Sequence, residues 1–164
     1  MATEIERKFL VDSKRLPTLL IGKGLYQFYL TPLSTEQKAC VRVRIISSAG
    51  QATAKLTIKG EGLVTRTEVE VDLPIEEAKQ LIPLGTGEIV KTRYRISFGK
   101  HVWDVDHFLS INGKEVDRWL AEIELESTEE EFEKPSWIGF EVSDDPRYQN
   151  ASMSIHGWPT GKIK

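Results

Sequence analysis

Val64-Thr65-Arg66-Thr67-Glu68-Val69-Glu70-Val71-Asp72-Leu73 alternates polar and apolar side chains over most of its length. Side chains at i, i+2 and i+4 point to one side of an extended strand. Arg66, Glu68 and Glu70 therefore share one face, and Val69 and Val71 share the other. That period of two, with β-branched residues on the apolar face, predicts a strand over residues 64–73. The same pattern recurs on both sides of it. Residues 4–11, 27–30, 40–46, 54–58, 90–98, 101–108 and 119–125 each alternate or are rich in β-branched side chains, giving eight predicted strands in all. Asn112-Gly113 is a strong hairpin turn signal, because a type I′ turn needs two residues that tolerate positive φ. Residues 47–50, 59–62 and Gly99-Lys100 read as further turns.

Helices are fewer. Pro74 precedes Ile75 to Ile82 with two acids in the first turn, a helix start that Pro83 should end. Residues 13–21 are expected to form a short helix capped by Asp12 or Ser13. Asp145-Pro146 should open a C-terminal helix over residues 147–154.

The chain has 164 residues, enough for one domain spanning 1–164 with its own core. It is 40% hydrophobic and 29% charged with a net charge of −3, which argues against a dedicated nucleic-acid binder. Its single cysteine, Cys40, excludes an intrachain disulfide and fits a reducing compartment. No basic segment followed by an apolar run stands at the N-terminus, and no apolar run is long enough to span a membrane, so a cytoplasmic location is expected. The histidines are too dispersed for a metal site, and Cys40 is expected to be a buried thiol. The four tryptophans should pack on the outside of the sheet.

The decisive feature is how the charged faces add up. Glu4, Glu6 and Lys8 share a face, as do Arg42 and Arg44, Lys91, Arg93 and Arg95, Asp104 and Asp106, and Glu122, Glu124 and Glu126. A wet face is the ordinary explanation for one such strand. It explains less well why most strands do this, several with neighbouring charges of like sign, since crowded like charges cost energy unless something compensates them. A closed barrel with a charged interior resolves the conflict, provided that helices cover its apolar outside. The expected fold is mainly β (α+β): an eight-stranded antiparallel closed barrel with a few outer helices. Clustered carboxylates beside clustered Arg and Lys suit a polyanion carrying a divalent cation.

Glu4-Ile5-Glu6-Arg7-Lys8 at the start of this pattern resembles the opening of the CYTH superfamily, the triphosphate tunnel metalloenzymes. The resemblance continues in order through Arg42-Val43-Arg44, Leu56-Thr57-Ile58-Lys59, Arg66-Thr67-Glu68-Val69-Glu70, Lys91-Thr92-Arg93-Tyr94, Trp103-Asp104-Val105-Asp106, residues 121–126 and Arg147-Tyr148-Gln149-Asn150. It covers essentially the whole chain, although residues 152–164 match nothing in the pattern. It is greatest to short bacterial inorganic triphosphatases. The resemblance implies an eight-stranded tunnel that hydrolyses inorganic triphosphate to pyrophosphate and phosphate with Mg²⁺ or Mn²⁺.

On this basis Glu4, Glu6, Asp104, Glu122 and Glu124 are expected to ligate metal. Asp106, on the same face, is an equal candidate for the role given to Asp104. Lys8, Arg42, Arg44, Lys59, Arg66, Lys91 and Arg93 are expected to bind the phosphates, with Arg95 a weaker candidate. Glu6, Lys8 and Lys91 are the expected catalytic groups, supported by Glu68, Glu70 and Tyr29. Two rivals differ in substrate, a class IV adenylate cyclase and a thiamine or nucleoside triphosphatase. A third differs in class: a non-catalytic polyphosphate-binding module, for which the carboxylates have no use. A homodimer is left open.

Overall fold

A computed structural model describes residues 3–19, 21–31 and 39–162. Among them are nine strands, β1 (Thr3–Val11), β2 (Lys23–Tyr29), β3 (Ala39–Ser48), β4 (Gln51–Gly60), β5 (Thr65–Leu73), β6 (Glu88–Phe98), β7 (His101–Ile111), β8 (Lys114–Glu124) and β9 (Ile138–Glu141). Two short helices, α1 (Ile75–Leu81) and α2 (Asn150–His156), accompany them. Every pairing is antiparallel, in the order β5-β4-β3-β2-β6-β7-β8-β1-β9. A further pairing of β1 with β5, which sets Glu4 opposite Arg66, closes the first eight strands into a barrel. The closed eight-stranded antiparallel fold expected from the alternation is therefore the one observed.

The Asn112-Gly113 turn joins β7 to β8 with φ of 49° and 79°, as its composition predicted. Ala49-Gly50 makes the equivalent turn between β3 and β4 with φ of 51° and 77°. Alanine is poorly suited to the left-handed region, whereas asparagine tolerates it. Ala49→Asn is expected to stabilise the protein by about 0.5–1 kcal/mol, read as a higher melting temperature.

Two local expectations need correction. The helix expected over residues 13–21 is only a 3₁₀ turn, Ser13–Arg15, with Asp12 accepting from the Lys14 amide at 3.2 Å. Pro17 stops its growth, because proline disfavours helical backbone at the residue before it; Leu20 of that expected helix lies outside the described residues. The helix expected to stop before Pro83 does so, at Leu81, and Pro83 sits in the 3₁₀ turn Ile82–Leu84 that follows. The C-terminal helix begins three residues later than expected, after a 3₁₀ turn at Pro146–Tyr148.

The ninth strand was not foreseen, since four residues with a central glycine carry little periodicity. It lies against the later half of β1, and a Cβ at Gly139 would come within 3.1 Å of the Leu10 carbonyl oxygen.

The core falls into three clusters. Outside the barrel, α1 packs Ala78, Ile75 and Leu81 on Phe28, Val43 and Ala54. Also outside, Phe9, Trp103, Val105 and Ile123 are covered by Phe132 and Trp137, so this face is sealed largely by irregular chain and not by a helix. The third cluster corrects the idea of a uniformly charged interior. Phe108 is paired with Lys91, Leu120 with Asp106 and Ile89 with Gln27, so these apolar residues point inward with their charged neighbours. Tyr148, Met153 and Trp158 pack onto them and fill one end of the barrel with apolar side chains. Only the remaining part of the interior is charged. No described helix is long and apolar enough to cross a membrane.

Candidate active site

A cavity of about 490 Å³ occupies the charged part of the barrel. Seven of the strands forming its wall contribute charged side chains, because each contributes the i, i+2 set that alternation turns inward. Glu4, Glu6, Asp104, Glu122 and Glu124, expected to bind metal, and Lys8, Arg42, Arg44, Lys59, Arg66, Lys91 and Arg93, expected to bind phosphate, all line it; the alternates Asp106 and Arg95 do not. Glu68, Glu70 and Tyr29 line it too.

Cations gather toward the apolar plug. Lys91 is 1% exposed, with Nζ 2.7 Å from Asp106 Oδ2 and 2.8 Å from Asn150 Oδ1. Its ammonium lies 5.1 Å from the Phe108 ring centroid, at the boundary between charge and plug. Arg93 donates to both oxygens of Asp106 at 2.7 and 2.8 Å, and reaches Asp104 at 3.5 Å and Glu122 at 3.8 Å. Lys8 Nζ donates to the Tyr148 carbonyl at 3.0 Å and lies 3.6 Å from Glu122. Arg44 Nε donates to Gln27 Oε1 at 3.0 Å. Arg42 donates to Thr57 Oγ1 at 3.2 Å, yet its buried Nε has no hydrogen-bond partner among the described residues. An unpaired buried guanidinium nitrogen is costly.

Electrostatics repeats the message. Burial, together with Arg42 and Arg93, pushes Arg44 down to about 9. Burial pushes Lys91 down to about 7, against the pull of Asp106. Burial alone would raise the Asp106 carboxyl, but Arg93 and Lys91 hold it at about 2. Glu122 is likewise held well below the usual carboxylate range by Lys8, Arg93 and Lys91 despite its burial. Arg93, by contrast, is held well above its ordinary value by Asp106, Glu122 and Asp104 despite its burial, so among these cations it is Arg44 and Lys91 whose charge is weakened, chiefly by burial.

Toward the β1–β5 seam the balance reverses. Glu4 lies 3.2 Å from Lys59 and 3.3 Å from Arg66, and Glu6 lies 3.4 Å from Arg66. Lys59 also holds Glu68 at 3.2 Å. Glu6 and Glu124 face each other directly across β1 and β8. Burial, then Glu122, push the Glu6 carboxyl up to about 7. Burial and the carboxylates of Glu4, Glu68 and Glu6 raise Glu124 as well. Asp104 is raised by burial, with Arg93 opposing.

Crowded carboxylate oxygens of this kind are the donors that a hard divalent cation takes, and a cation among them would offset both the burial and the neighbouring carboxylate charge that raise Glu6. The residues therefore fit such an ion. Among the described residues, however, no three acidic, His or Cys side chains already stand together as a ligand set. Glu4 and Glu6 are drawn to Lys59 and Arg66, and Glu122 belongs to the cation cluster, so ligation would require these ion pairs to loosen.

A pH test follows from Glu6. Its folded-state value is raised from 4.5 to about 7, so the folded protein binds the extra proton between those values. Stability from this group is lost as pH rises through that window. Without metal, Glu6→Gln is expected to match wild type near pH 4.5 and to exceed it above pH 7 by on the order of 2 kcal/mol, read from urea melts in EDTA.

The sequence pattern singles out neither Gln27 nor Asn150, and it does not separate Asp106 from Asp104. Gln27 shares the inward face with Tyr29, which was a usable signal, but an amide in a strand advertises no chemistry. Asp106 and Asp104 were indistinguishable by spacing; the structure buries Asp106 between Lys91 and Arg93 and leaves Asp104 at the cavity. Cys40 is half-buried and lines the cavity instead of the core. Arg95 is largely exposed and pairs with Asp104 at 3.4 Å.

Comparison with known proteins agrees with this architecture. The CYTH domain matches residues 2–153, and the chain belongs to that family. It is 36% identical over 155 residues to an inorganic triphosphatase of Acetivibrio thermocellus, covering 93% of this chain and 94% of that protein. An inorganic triphosphatase of Nitrosomonas europaea is 31% identical over 159 residues, covering 93% and 97% of the two chains. A crystal structure of an inorganic triphosphatase superposes with a TM-score of 0.63 at 29% identity, covering 94% of this chain and 96% of that one.

Proposed function

We propose that the protein hydrolyses inorganic triphosphate to pyrophosphate and phosphate in this cavity, with a divalent cation, Mg²⁺ or Mn²⁺, held by Glu4, Glu6, Glu122 and Glu124 and supported by Asp104. The observation that carries the reading is the two-sided lining: the buried cations of Arg42, Arg44, Lys91 and Arg93 beside the crowded carboxylates of Glu4, Glu6 and Glu124 in one cavity. A polyphosphate with a divalent cation satisfies both sides at once; a bare polyanion satisfies only one. The similarity to inorganic triphosphatases over nearly the whole chain supports the same substrate.

Phosphoryl transfer asks a protein mainly for positioning and charge neutralisation. Arg42, Arg44, Arg93, Lys8 and Lys91 would grip the phosphoryl oxygens, with Lys59 and Arg66 turning from carboxylate to phosphate when substrate enters. The cation, when bound, would supply further neutralisation and lower the pKa of attacking water. In the empty cavity Glu6 and Lys91 lie near 7; a bound cation would favour the Glu6 carboxylate and bound phosphate the Lys91 ammonium, so both would be charged in the loaded site. Glu68 and Glu70 would hold Lys59 and Arg42 in place. The single unpaired Cys40 supports a reducing, cytoplasmic setting.

The test is phosphate release from inorganic triphosphate and from ATP, each with Mg²⁺, Mn²⁺ or EDTA. Metal-dependent release from triphosphate, with ATP much slower, is expected. Cyclic AMP and pyrophosphate from ATP without free phosphate would replace this reading with a cyclase.

A further inference from the structure

Two neutral amides sit among the charges. Gln27 is fully buried on β2, and Asn150 is the first residue of α2. Gln27 Oε1 accepts from Arg44 Nε at 3.0 Å. Arginine is donor-only, so this bond fixes which end of the Gln27 amide is oxygen. The Gln27 Nε2 end must then donate, and it does so twice: to the Tyr29 hydroxyl oxygen at 3.0 Å and to Asn150 Oδ1 at 3.1 Å. Asn150 Oδ1 also accepts from Lys91 Nζ at 2.8 Å. The polarity of the whole chain is thus set at its Arg44 end, by a donor that cannot reverse.

Two consequences follow at the cavity. The Tyr29 oxygen is already an acceptor, so its own O–H hydrogen is left to donate, and Tyr29 lines the cavity. Lys91 spends one ammonium hydrogen on Asp106 and one on Asn150, so the third is left for the cavity.

We propose that Gln27 and Asn150 are positioning residues: their linked amides orient Arg44, Lys91 and Tyr29 so that each presents a donor to the bound phosphate chain. Through Asn150, docking of α2 becomes a condition for a competent site and not only a seal on the apolar end. The catalytic part of this inference rests on the triphosphatase reading above.

Asn150→Leu keeps the size and removes the acceptor; Asn150→Asp keeps an acceptor for both Lys91 and Gln27. For a positioning role, Asn150→Leu lowers kcat for inorganic triphosphate about 10²-fold with a KM change of a few-fold, and Asn150→Asp restores most of the loss. Gln27→Glu, which loses the donor, lowers kcat similarly. A second readout needs no turnover. The ¹⁵N ammonium resonance of Lys91 at about pH 6 is expected to be seen in wild type and Asn150→Asp and lost to exchange in Asn150→Leu. If wild type releases no phosphate, the functional reading fails, and the resonance alone decides the positioning. An unaltered resonance in Asn150→Leu overturns the proposal. So do equal losses of kcat in Leu and Asp variants that both melt early, since that pattern reports packing alone.

Discussion

Lys91→Met is expected to reduce kcat for inorganic triphosphate by about 10³-fold while the barrel stays folded. Methionine fills much of the same volume and suits the contact with the Phe108 ring, so the plug should keep its packing. What disappears is the buried donor held between Asp106 and Asn150. A preorganised donor in a dry site counts for more in the transition state, where charge redistributes over the phosphoryl oxygens, than in the ground state. Loss of kcat should therefore exceed any rise in KM, and steady-state kinetics with a parallel thermal melt separates the two. A variant with near-normal kcat and a raised KM would make Lys91 a binding group only. The wild-type pH–rate profile carries the sign of the same effect. Burial pushes Lys91 down to about 7 in the substrate-free protein, so its ammonium is lost across neutral pH unless phosphate is bound. Bound phosphate adds negative charge and should shift the alkaline limb of kcat upward relative to that of kcat/KM.

The barrel was legible because its signal is redundant. Alternation in eight strands, two well-marked hairpin turns and like-signed pairs on one face all required a closed interior, and no single strand had to be read correctly. The charged half of that interior was legible for the same reason: residues such as Arg42, Arg44, Glu122 and Glu124 announce their chemistry by type. The apolar half was not. Phe108, Leu120 and Ile89 look like ordinary strand residues, and an extra residue at Leu109 relative to β6 shifts the phase of β7, so that Ile111 pairs with Ile89. Nothing local in residues 145–158 says that Tyr148, Met153 and Trp158 will enter a barrel formed by the first 124 residues. The partition of the acids was hidden too. Asp104 and Asp106 have the same spacing and the same face, and only the tertiary placement of Lys91 decides which one is consumed by cations.

That placement makes Asp106 the most consequential single carboxylate for stability. It is 1% exposed, takes both donors of the Arg93 fork and holds Lys91 at 2.7 Å. Asp106→Asn preserves the shape and removes the charge, leaving two buried cations short of their counter-ion. Breaking a buried pair in this way costs about 3–5 kcal/mol, far more than the intact pair contributes over an apolar replacement. The loss should appear in urea melts at pH 7 without metal. Its pH dependence has a fixed sign. Arg93 and Lys91 hold the folded carboxyl at about 2 against an ordinary 3.8, so the charged partner stabilises above 3.8 and its contribution fades as pH falls through that interval. The gap between wild type and variant should narrow below 3.8, where the wild-type carboxyl takes up its proton. Adding Lys91→Met to Asp106→Asn removes one stranded cation and should return part of the stability, so the pair is expected to be less damaging than the sum of its members. Strict additivity would mean that Lys91 is satisfied without Asp106. The two-point grip on Lys91, and with it the aim of its remaining donor into the cavity, would then have to be abandoned.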